Sequence, residues 1–600
     1  MEMESERKTE RARKRKRDDV TGSFNQWLHQ GNVIIAHVVL ALARLDQVKF
    51  NLPYPMFCGV LIYHNRDYWQ EKKELDEDRH RSGPILRSSA SSDGQKIKNK
   101  NMVDIAEAEQ LLRQGLGRRG MRRPDTSPGR VAKNGSTHDI STGAGDVLSE
   151  GIQGYERLTQ SPGLQRLKLF LNMTLSPILL IAFVPNLVIF IWFTAIHCNG
   201  SYLTMVSKLF SQRSILTGLA DMWRVVNTPS APIIYILTGY GLYALVMMRL
   251  LPGKMVKGPV TPKGNIPVYK DNGFVYYLLT LALFWGLTYA LRPYGYTPSI
   301  IYDRFDEVLF ALNAFSLVFC LFLYLKGLFA PSSTDSGSSG NMIFDYYWGT
   351  ELYPRILGFD VKLFTNCRFG MMGWALLVCV HAVKSYEMHG FVDSMFVSVA
   401  LQLIYITKFF WWEAGYMSTI DIMVDRAGFY ICWGCLVYIP GLYTSPSFYL
   451  VSQPVLLGLP VASMLLVTGI LAIWINYEAD MQKQMVRGSN GACQVWGRKP
   501  ELIRARYTLE NGQEKESLLL ASGWWGMARH FHYVPEITLA LCWSLPALFH
   551  NILPYSYVIF LVILLVHRTF RDDEKCARKY GTYWDQYCQK VPHKMVPYLF

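Results

Sequence analysis

Positive charge and aromatic rings alternate towards the C-terminal end of the chain. Lys483 and Arg487 are four residues apart and so share one helix face, where two cations can bind phosphate through charge-assisted hydrogen bonds. Two later stretches, "SGWWGMARHFHY" and "HRTFRDDEKCARKYGTYWDQYC", add rings for a planar base and carboxylates for a ribose hydroxyl. Anionic lipid head groups also bind juxtamembrane cations, but they require neither the rings nor the acids. The pattern therefore favours a flat, phosphate-bearing cofactor, without the GxGxxG signature of a Rossmann domain.

A second group of polar residues lies in "TKFFWWEAGYMSTIDIMVDRAGFYICWG" (407–434). Glu413, Asp421 and Asp425 flank apolar helices, where an ionisable group is energetically expensive and often functional. Alternatively, Asp425 pairs with the neighbouring Arg426 and has only a structural role. The rings of this stretch predict a pocket for a large, flat, apolar ligand. They are Trp412, Tyr416, Tyr430 and Trp433.

The stretch "GNMIFDYYWGTELYPR" (340–355) places Asp345, Glu351 and Arg355 in a loop that leads into an apolar run. Glu351 and Arg355 are four apart, so they also fit a simple helix-stabilising pair. No metal site is expected, because His530 and His532 are two residues apart and lack an obvious third ligand.

The composition indicates the elements that must position these residues. Of 600 residues, 50% are hydrophobic and only 18% are charged, which favours an all-α polytopic membrane protein. A net charge of +14 is compatible with a nucleic-acid partner. Most cations, however, fall in loops between apolar runs, where cytosolic loops of membrane proteins carry them, so nucleic acid is disfavoured.

Apolar runs of membrane-crossing length begin near residue 172. Each approaches the roughly 20 residues that cross a bilayer as a helix, and the last is long enough for a tight hairpin. The positive-inside rule then predicts about ten transmembrane segments, with both termini and the basic loops in the cytosol. The runs are 172–196, 231–252, 275–292, 307–326, 369–386, 393–412, 428–444, 455–477 and 536–566.

Residues 1–165 form a separate region with a different composition. They are polar and lack a sustained hydrophobic period, which predicts a largely disordered N-terminal extension. The membrane domain is then 166–600, with 478–600 carrying most of the cofactor site. "RKRKRDD" at 13–19 fits a nuclear address, and a solvated cytosolic tail is the preferred interpretation.

Two motifs resemble the sterol reductase family of endoplasmic reticulum membrane enzymes. The resemblance covers about 170–600. The first motif is carried by His567, Arg568, Arg571, Asp572, Cys576, Lys579, Tyr580, Gly581, Trp584, Tyr587 and Cys588. The second is carried by Gly340, Asp345, Gly349, Leu352, Pro354 and Arg355.

The resemblance implies an activity, a location and a cofactor site. The 407–446 stretch is most similar to members that reduce the C7–C8 double bond of Δ7-sterols, with NADPH as cofactor, in the endoplasmic reticulum membrane. A sterol, membrane lipids and other enzymes of the sterol pathway are the implied partners. The implied cofactor-binding residues are Lys483, Arg487, Leu520, Trp525, His532, Tyr533, Asp572, Cys576, Ala577, Arg578, Lys579, Tyr580 and Tyr587.

The implied reaction needs an acid beside a dry, apolar slot, because an isolated ring alkene accepts hydride poorly until it is protonated. Glu413, Asp425 or Tyr430 is the expected proton donor, and Asp421 and Trp433 are expected to shape the pocket. Alternatives are a Δ14-sterol reductase, a lamin B receptor-like scaffold, an isoprenylcysteine carboxyl methyltransferase and a transporter.

Overall fold

The computed structural model describes residues 167, 169–211, 215–261, 263–508 and 514–600. The predicted extension at 1–165 and the basic run at 13–19 lie outside these residues. The described chain is mainly helical, as its continuous apolar runs predict, because a helix satisfies its own backbone hydrogen bonds in lipid.

Eight helices in the described part of the chain are long and apolar enough to cross a membrane. The apolar runs thus predict a multi-pass membrane protein correctly, although the count of ten is not confirmed. These helices are numbered spans 1 to 8 and cover Leu171–His197, Ala231–Leu250, Gly273–Tyr294, Phe305–Phe329, Leu363–His389, Asp393–Trp411, Leu459–Gly488 and Leu553–Tyr580.

Two predicted segments take a different form. The run at 428–444 becomes a short α-helix, Phe429–Trp433, and then a π-helix, Gly434–Tyr443. The run at 536–566 is divided, because the helix that begins at Tyr533 ends at Ser544, well before span 8. Pro546 occupies a 3-10 turn in the interval and Pro554 the 3-10 turn at the start of span 8, and each proline removes a backbone donor that a continuous helix would need.

Shorter helices connect the spans or lie at their ends. They are Tyr202–Phe210, Ile215–Arg224, Ile300–Asp303, Met342–Trp348, Glu413–Tyr416, Ile420–Met423, Ser445–Ser452, Trp524–Met527 and Thr582–Lys590. In the described part of the chain three antiparallel hairpins join them, and each forms a separate two-stranded sheet. Their strands are Lys254–Lys257 with Val268–Asp271, Arg355–Ile356 with Phe359–Asp360, and Leu502–Thr508 with Glu514–Leu520.

Two π-helical segments pack against each other in the interior. Leu363–Met371 forms the start of span 5, and Gly434–Tyr443 lies beside it. The amide of Asn366 donates a hydrogen bond to Cys435 Sγ at 3.3 Å across this contact. Such wide turns are rare and often occur at functional sites, because they re-aim side chains within a helix.

The C-terminal segment packs onto the last hairpin. Span 8 continues as a helix through its charged end and stops at Gly581, whose φ of +52° reverses the chain at little steric cost. The following helix then places Trp584 and Tyr587 against Ile503 and Leu519 of the hairpin. The charged end of span 8 is therefore held between the membrane domain and a small apolar cluster.

Candidate active site

The acidic stretch after span 6 is joined to span 8 by two ion pairs. Arg568 Nη2 donates to Asp421 Oδ1 at 2.6 Å, and Arg571 Nη2 donates to Asp425 Oδ1 at 2.9 Å. These carboxylates belong to the acid loop, defined as residues 413–428. Arg568 and Arg571 thus bind acids of their own chain.

Asp425 is the most buried acid of this contact, with none of its surface exposed. Its Oδ2 atom has no hydrogen-bond partner among the described residues. Burial raises the pKa of the Asp425 carboxyl, and the nearby Arg571 opposes that rise. Asp425 is therefore a carboxyl group that keeps its proton to a higher pH than an exposed aspartate does.

Aromatic residues with free polar atoms lie beside Asp425. Tyr347 and Tyr430 both lie within electrostatic range of the Asp425 carboxylate. The hydroxyl of Tyr347 and the indole nitrogen of Trp348 are buried without a partner in the described structure. Tyr430 stacks on Trp348, with ring centroids 5.7 Å apart and planes at 7°. The rings of Tyr430 and Trp348 thus pack on each other beside the Asp425 carboxyl.

Trp433 is held by a different contact. Its indole nitrogen donates to Asn313 Oδ1 of span 4 at 2.9 Å, and its ring stacks on Phe429 at 5.1 Å. The sequence had not singled out Asn313 as a polar group inside an apolar run. Trp433 thus lies on the same short helix as Tyr430, with its one polar atom already satisfied.

Glu413 lies in a separate, fully buried cluster. Its carboxylate forms a bidentate ion pair with Arg368 of span 5, and neither side chain is exposed. Arg368 also donates to Asn272 Oδ1 at 2.7 Å, and the backbone nitrogen of Gly273 donates to Glu413 at 3.1 Å. Both carboxylate oxygens of Glu413 are thereby occupied, and neither contacts the Asp421 and Asp425 pairs.

Two buried cations, Arg368 and Lys362, lie near the acids without having been predicted as site residues. Arg368 interrupts the apolar run "CRFGMMGWALLV", and a charge in such a run indicates a functional or structural partner. Lys362 is 1% exposed, and its Nζ donates to the carbonyls of Asp421 and Ile422 at 2.9 Å each. Lys362 therefore fixes the backbone beside the acids.

The "GTE" segment of 340–355 packs directly on the acid loop. Gly349 has a φ of +102°, and a Cβ there would lie 2.6 Å from the backbone of Ala427 and Gly428. The backbone nitrogen of Ala427 donates to Glu351 O at 3.0 Å. Because only glycine allows this approach, the segment fixes the position of Asp425.

Lys483, Trp525, His532, Tyr533 and Asp572 come together in what we call the basic recess. Lys483 Nζ lies 3.9 Å from the centroid of the Trp525 ring. The Trp525 indole donates to Ala479 O at 2.7 Å, which ties that ring to span 7. Asp572 of span 8 lies within electrostatic reach of Lys483.

Two histidines and a tyrosine form a wall of the basic recess. His532 lies 4.9 Å from the Trp525 ring and 4.2 Å from the Tyr533 ring, while His530 stacks on Tyr533 at 5.3 Å. Burial lowers the pKa of His530 and of His532 to about 3, so both rings are neutral at pH 7. His530 Nε2 and His532 Nδ1 are buried without hydrogen-bond partners among the described residues.

The other predicted cofactor residues lie at varying distances from the recess. Leu520 packs with Trp525 in one apolar cluster, and the hydroxyl of Tyr587 donates to Trp525 O at 3.3 Å. The Cys576 thiol lies 3.9 Å from Asp572 Oδ2. Tyr580 faces the last hairpin, where its hydroxyl donates to Ser517 Oγ at 3.4 Å. Arg487, Ala577, Arg578 and Lys579 are exposed.

The donor set of the basic recess fits a nicotinamide dinucleotide. Lys483 has no carboxylate within ion-pairing distance in the described part of the chain, which leaves its charge available for a phosphate. Trp525, His532 and Tyr533 offer faces for a planar ring, and the unpaired histidine nitrogens can bind amide or hydroxyl groups.

The fold defines a multi-pass membrane protein, and its site joins a basic recess to a buried, half-paired carboxylate. Comparison with known proteins specifies the family: the chain belongs to the ergosterol biosynthesis ERG4/ERG24 family, whose model matches residues 178–600. This agrees with the sterol reductase resemblance of the two sequence motifs.

Three curated relatives illustrate the similarity. The chain is 52% identical to 7-dehydrocholesterol reductase of Arabidopsis thaliana over 428 residues, which are 71% of this chain and 97% of the relative. It is 34% identical to 7-dehydrocholesterol reductase of Xenopus laevis, over 71% of this chain and 92% of the relative. It is also 34% identical to the Delta(14)-sterol reductase of Methylotuvimicrobium alcaliphilum, over 70% and 94%.

Proposed function

We propose that this protein reduces the C7–C8 double bond of Δ7-sterols, with NADPH as the hydride donor. The observation that carries the proposal is the 52% identity to the plant 7-dehydrocholesterol reductase over 97% of that relative. The proposal includes residence in the endoplasmic reticulum membrane, with both termini in the cytosol. A sterol and the surrounding lipids are the expected partners.

The basic recess is the proposed cofactor site. NADPH, when bound, supplies the hydride. Lys483 and Arg487 would hold its phosphates, while Trp525, His532 and Tyr533 would bind its planar and amide groups. Asp572, Cys576 and Tyr587 would complete the site. Because His530 and His532 are neutral, they can form hydrogen bonds there without repelling the lysine.

Asp425 is the proposed proton donor. It is fully buried, one of its oxygens has no partner among the described residues, and Tyr347 and Tyr430 lie beside it. Glu413 is a weaker candidate because Arg368 and the Gly273 backbone nitrogen occupy both of its carboxylate oxygens. Asp421 and Trp433 would keep the acid loop and the Tyr430 helix in place through Arg568 and Asn313. A carboxyl kept protonated in a dry slot can protonate an alkene.

Product analysis tests the proposed reaction directly. Yeast microsomes containing the full-length chain receive NADPH with either 7-dehydrocholesterol or a Δ8,14-sterol, and products are identified by gas chromatography and mass spectrometry. We expect cholesterol from the first substrate and little conversion of the second. Conversion of the Δ8,14-sterol alone would identify a Δ14 reductase, and an unchanged pool of both would contradict the reductase proposal.

Replacing Lys483 with Ala is expected to raise the KM for NADPH by about 10- to 100-fold, the loss for a hydrogen bond to a charged group. Arg487→Ala should act in the same direction. Lys515→Ala is the matched control, because Lys515 is an exposed lysine of the last hairpin. An unchanged KM for NADPH in both test variants would show that other residues bind its phosphates.

A further inference from the structure

Two short helices lie between the end of span 1 and the start of span 2. They are Tyr202–Phe210 and Ile215–Arg224, and we call them the connector helices. With 9 and 10 residues, each covers only about 15 Å, half of the roughly 30 Å of hydrocarbon that a span crosses. The chain reverses between span 1 and the first connector helix, where Asn199 and Gly200 have φ angles of +50° and +78°. Contacts with the spans therefore decide where the connector helices lie.

The first connector helix lies across the neighbouring ends of spans 1 and 8. Near its start, the Tyr202 hydroxyl hydrogen-bonds to Ser556 Oγ at 2.8 Å, close to the beginning of span 8. Near its end, Lys208 Nζ donates to the carbonyl of His197, the last residue of span 1, at 2.8 Å. Because both ends of this helix contact span ends, it runs along the bundle surface and does not project away from it. The basic recess lies at the other end of span 8.

The second connector helix directs one face towards the interior of the membrane domain. It packs on the first helix, since a Cβ at Gly218 would lie 2.6 Å from Leu209 O. The Trp223 indole nitrogen donates to Asn186 Oδ1 of span 1 at 2.7 Å, and the Trp223 ring lies 6.3 Å from the Phe310 ring of span 4. Asn186 precedes the last residue of span 1 by three helical turns, or about 16 Å of helix. The face that carries Trp223 is therefore directed towards the membrane interior.

Exposed apolar side chains form a stripe on each connector helix. Leu203, Val206 and Phe210 recur at helical spacing and are 84%, 42% and 63% exposed. On the second helix, Leu216 is 78% exposed and lies two turns before Trp223, on the same helix face. Such an open apolar patch is rare on a surface that contacts water. We call these residues the apolar stripes.

Exposed polar side chains occupy a different face of the first connector helix. Thr204, Ser207 and Lys208 are exposed, and at 3.6 residues per turn their face is centred roughly 120° from the apolar stripe. On the second helix, Arg224 pairs with Asp221 at 2.5 Å at the surface. Separate polar and apolar faces, both uncovered, are typical of helices that lie at the boundary between lipid head groups and acyl chains.

We propose that the connector helices are interfacial membrane helices, whose apolar stripes insert among the acyl chains of the leaflet opposite the basic recess. Lipid is the occupant that the contacts favour, because the stripes continue the exposed apolar surface of the spans. Ile196 of span 1 lies next to His197, Ile559 of span 8 follows Ser556 by three positions, and both isoleucines are exposed. The polar face would then lie among the head groups. The proposal does not depend on the reductase activity.

Single-site fluorescence tests this placement in the full-length protein. An environment-sensitive fluorescent amino acid is introduced at Leu203, Phe210 or Leu216 by codon suppression, and the purified protein is placed in phosphatidylcholine nanodiscs. We expect blue-shifted emission that is quenched by phosphatidylcholine with a doxyl group on its acyl chain and not by aqueous iodide. Val318, 69% exposed near the middle of span 4, is the lipid reference, and the exposed Lys515 is the water reference.

Ser207 is the matched control, because it lies on the polar face of the first connector helix. Its label should be quenched by iodide, as at Lys515. Iodide quenching at all three stripe positions would place them in water and overturn the proposal. Protection from both quenchers would show that protein covers the stripes, which would overturn it in favour of a second copy of the chain.

Charged substitutions give an independent measurement. Phe210→Asp and Leu216→Asp should lower the Tm in nanodiscs, because each places a charge among acyl chains, whereas Ser207→Asp should leave it unchanged. If the stripes were in water, both stripe substitutions would be harmless, so an unchanged Tm for both would contradict the proposal. If either variant yields no folded protein, the fluorescence measurements still decide, because their label keeps the position apolar.

Discussion

Asp425→Asn is expected to lower sterol turnover by about 10²- to 10⁴-fold, the usual contribution of a positioned general acid. The amide keeps an oxygen to accept the hydrogen bond from Arg571, so the protein should remain folded, but it cannot supply a proton. Turnover of 7-dehydrocholesterol by equal amounts of folded protein, measured after size exclusion, gives the ratio. Asp585→Asn serves as the control, because Asp585 is exposed on the C-terminal helix.

The pH profile provides a second test of the same carboxyl. Because burial raises the pKa of Asp425, the group keeps its proton to a higher pH than an exposed aspartate does. The wild-type kcat should therefore be highest below that raised pKa and fall as the pH increases through it. The residual rate of Asp425→Asn should lack this fall. Full activity of the variant, or an unchanged profile, would assign the proton to another group.

The membrane class was predictable from sequence because a span depends on local composition alone. Runs of about 20 apolar residues require no knowledge of distant contacts, and eight helices meet this requirement in the described chain. The run at 428–444 shows the limit of this argument. Its apolar composition is real, but the chain forms a π-helix against Leu363–Met371, and composition does not reveal that partner.

The partners of the charged residues were less predictable. Arg568 and Arg571 pair with Asp421 and Asp425, which lie 147 and 146 residues earlier, and no local spacing identifies those partners. Glu413 and Asp425 are close in sequence, because both belong to the acid loop, but they bind different partners, Arg368 and Arg571. Helical periodicity describes neighbours on one element, so it carries no information about such pairs.

The prediction with the largest effect on stability concerns the buried pair of Arg368 and Glu413. Glu413→Gln leaves the guanidinium buried without its counter-charge, which should destabilise the folded protein by about 3–5 kcal/mol. The expected observations are a strong decrease in Tm and in the yield of monodisperse protein, measured by fluorescence-detected size exclusion. Folded protein that remains should retain sterol turnover, because Glu413 is assigned a structural role.

Two comparisons separate anchoring from chemistry at this position. The double variant Arg368→Met with Glu413→Leu should recover part of the lost stability, because neither charge then remains buried alone. Glu516→Gln breaks the exposed pair with Arg504 and should change stability by only about 0–1 kcal/mol. If Glu413→Gln is instead stable and inactive, Glu413 takes part in the reaction and the assignment of the proton donor to Asp425 is wrong. Glu413 would then be the proton donor and Asp425 the structural acid. Their different partners, Arg368 on span 5 and Arg571 on span 8, would explain which of the two holds the proton.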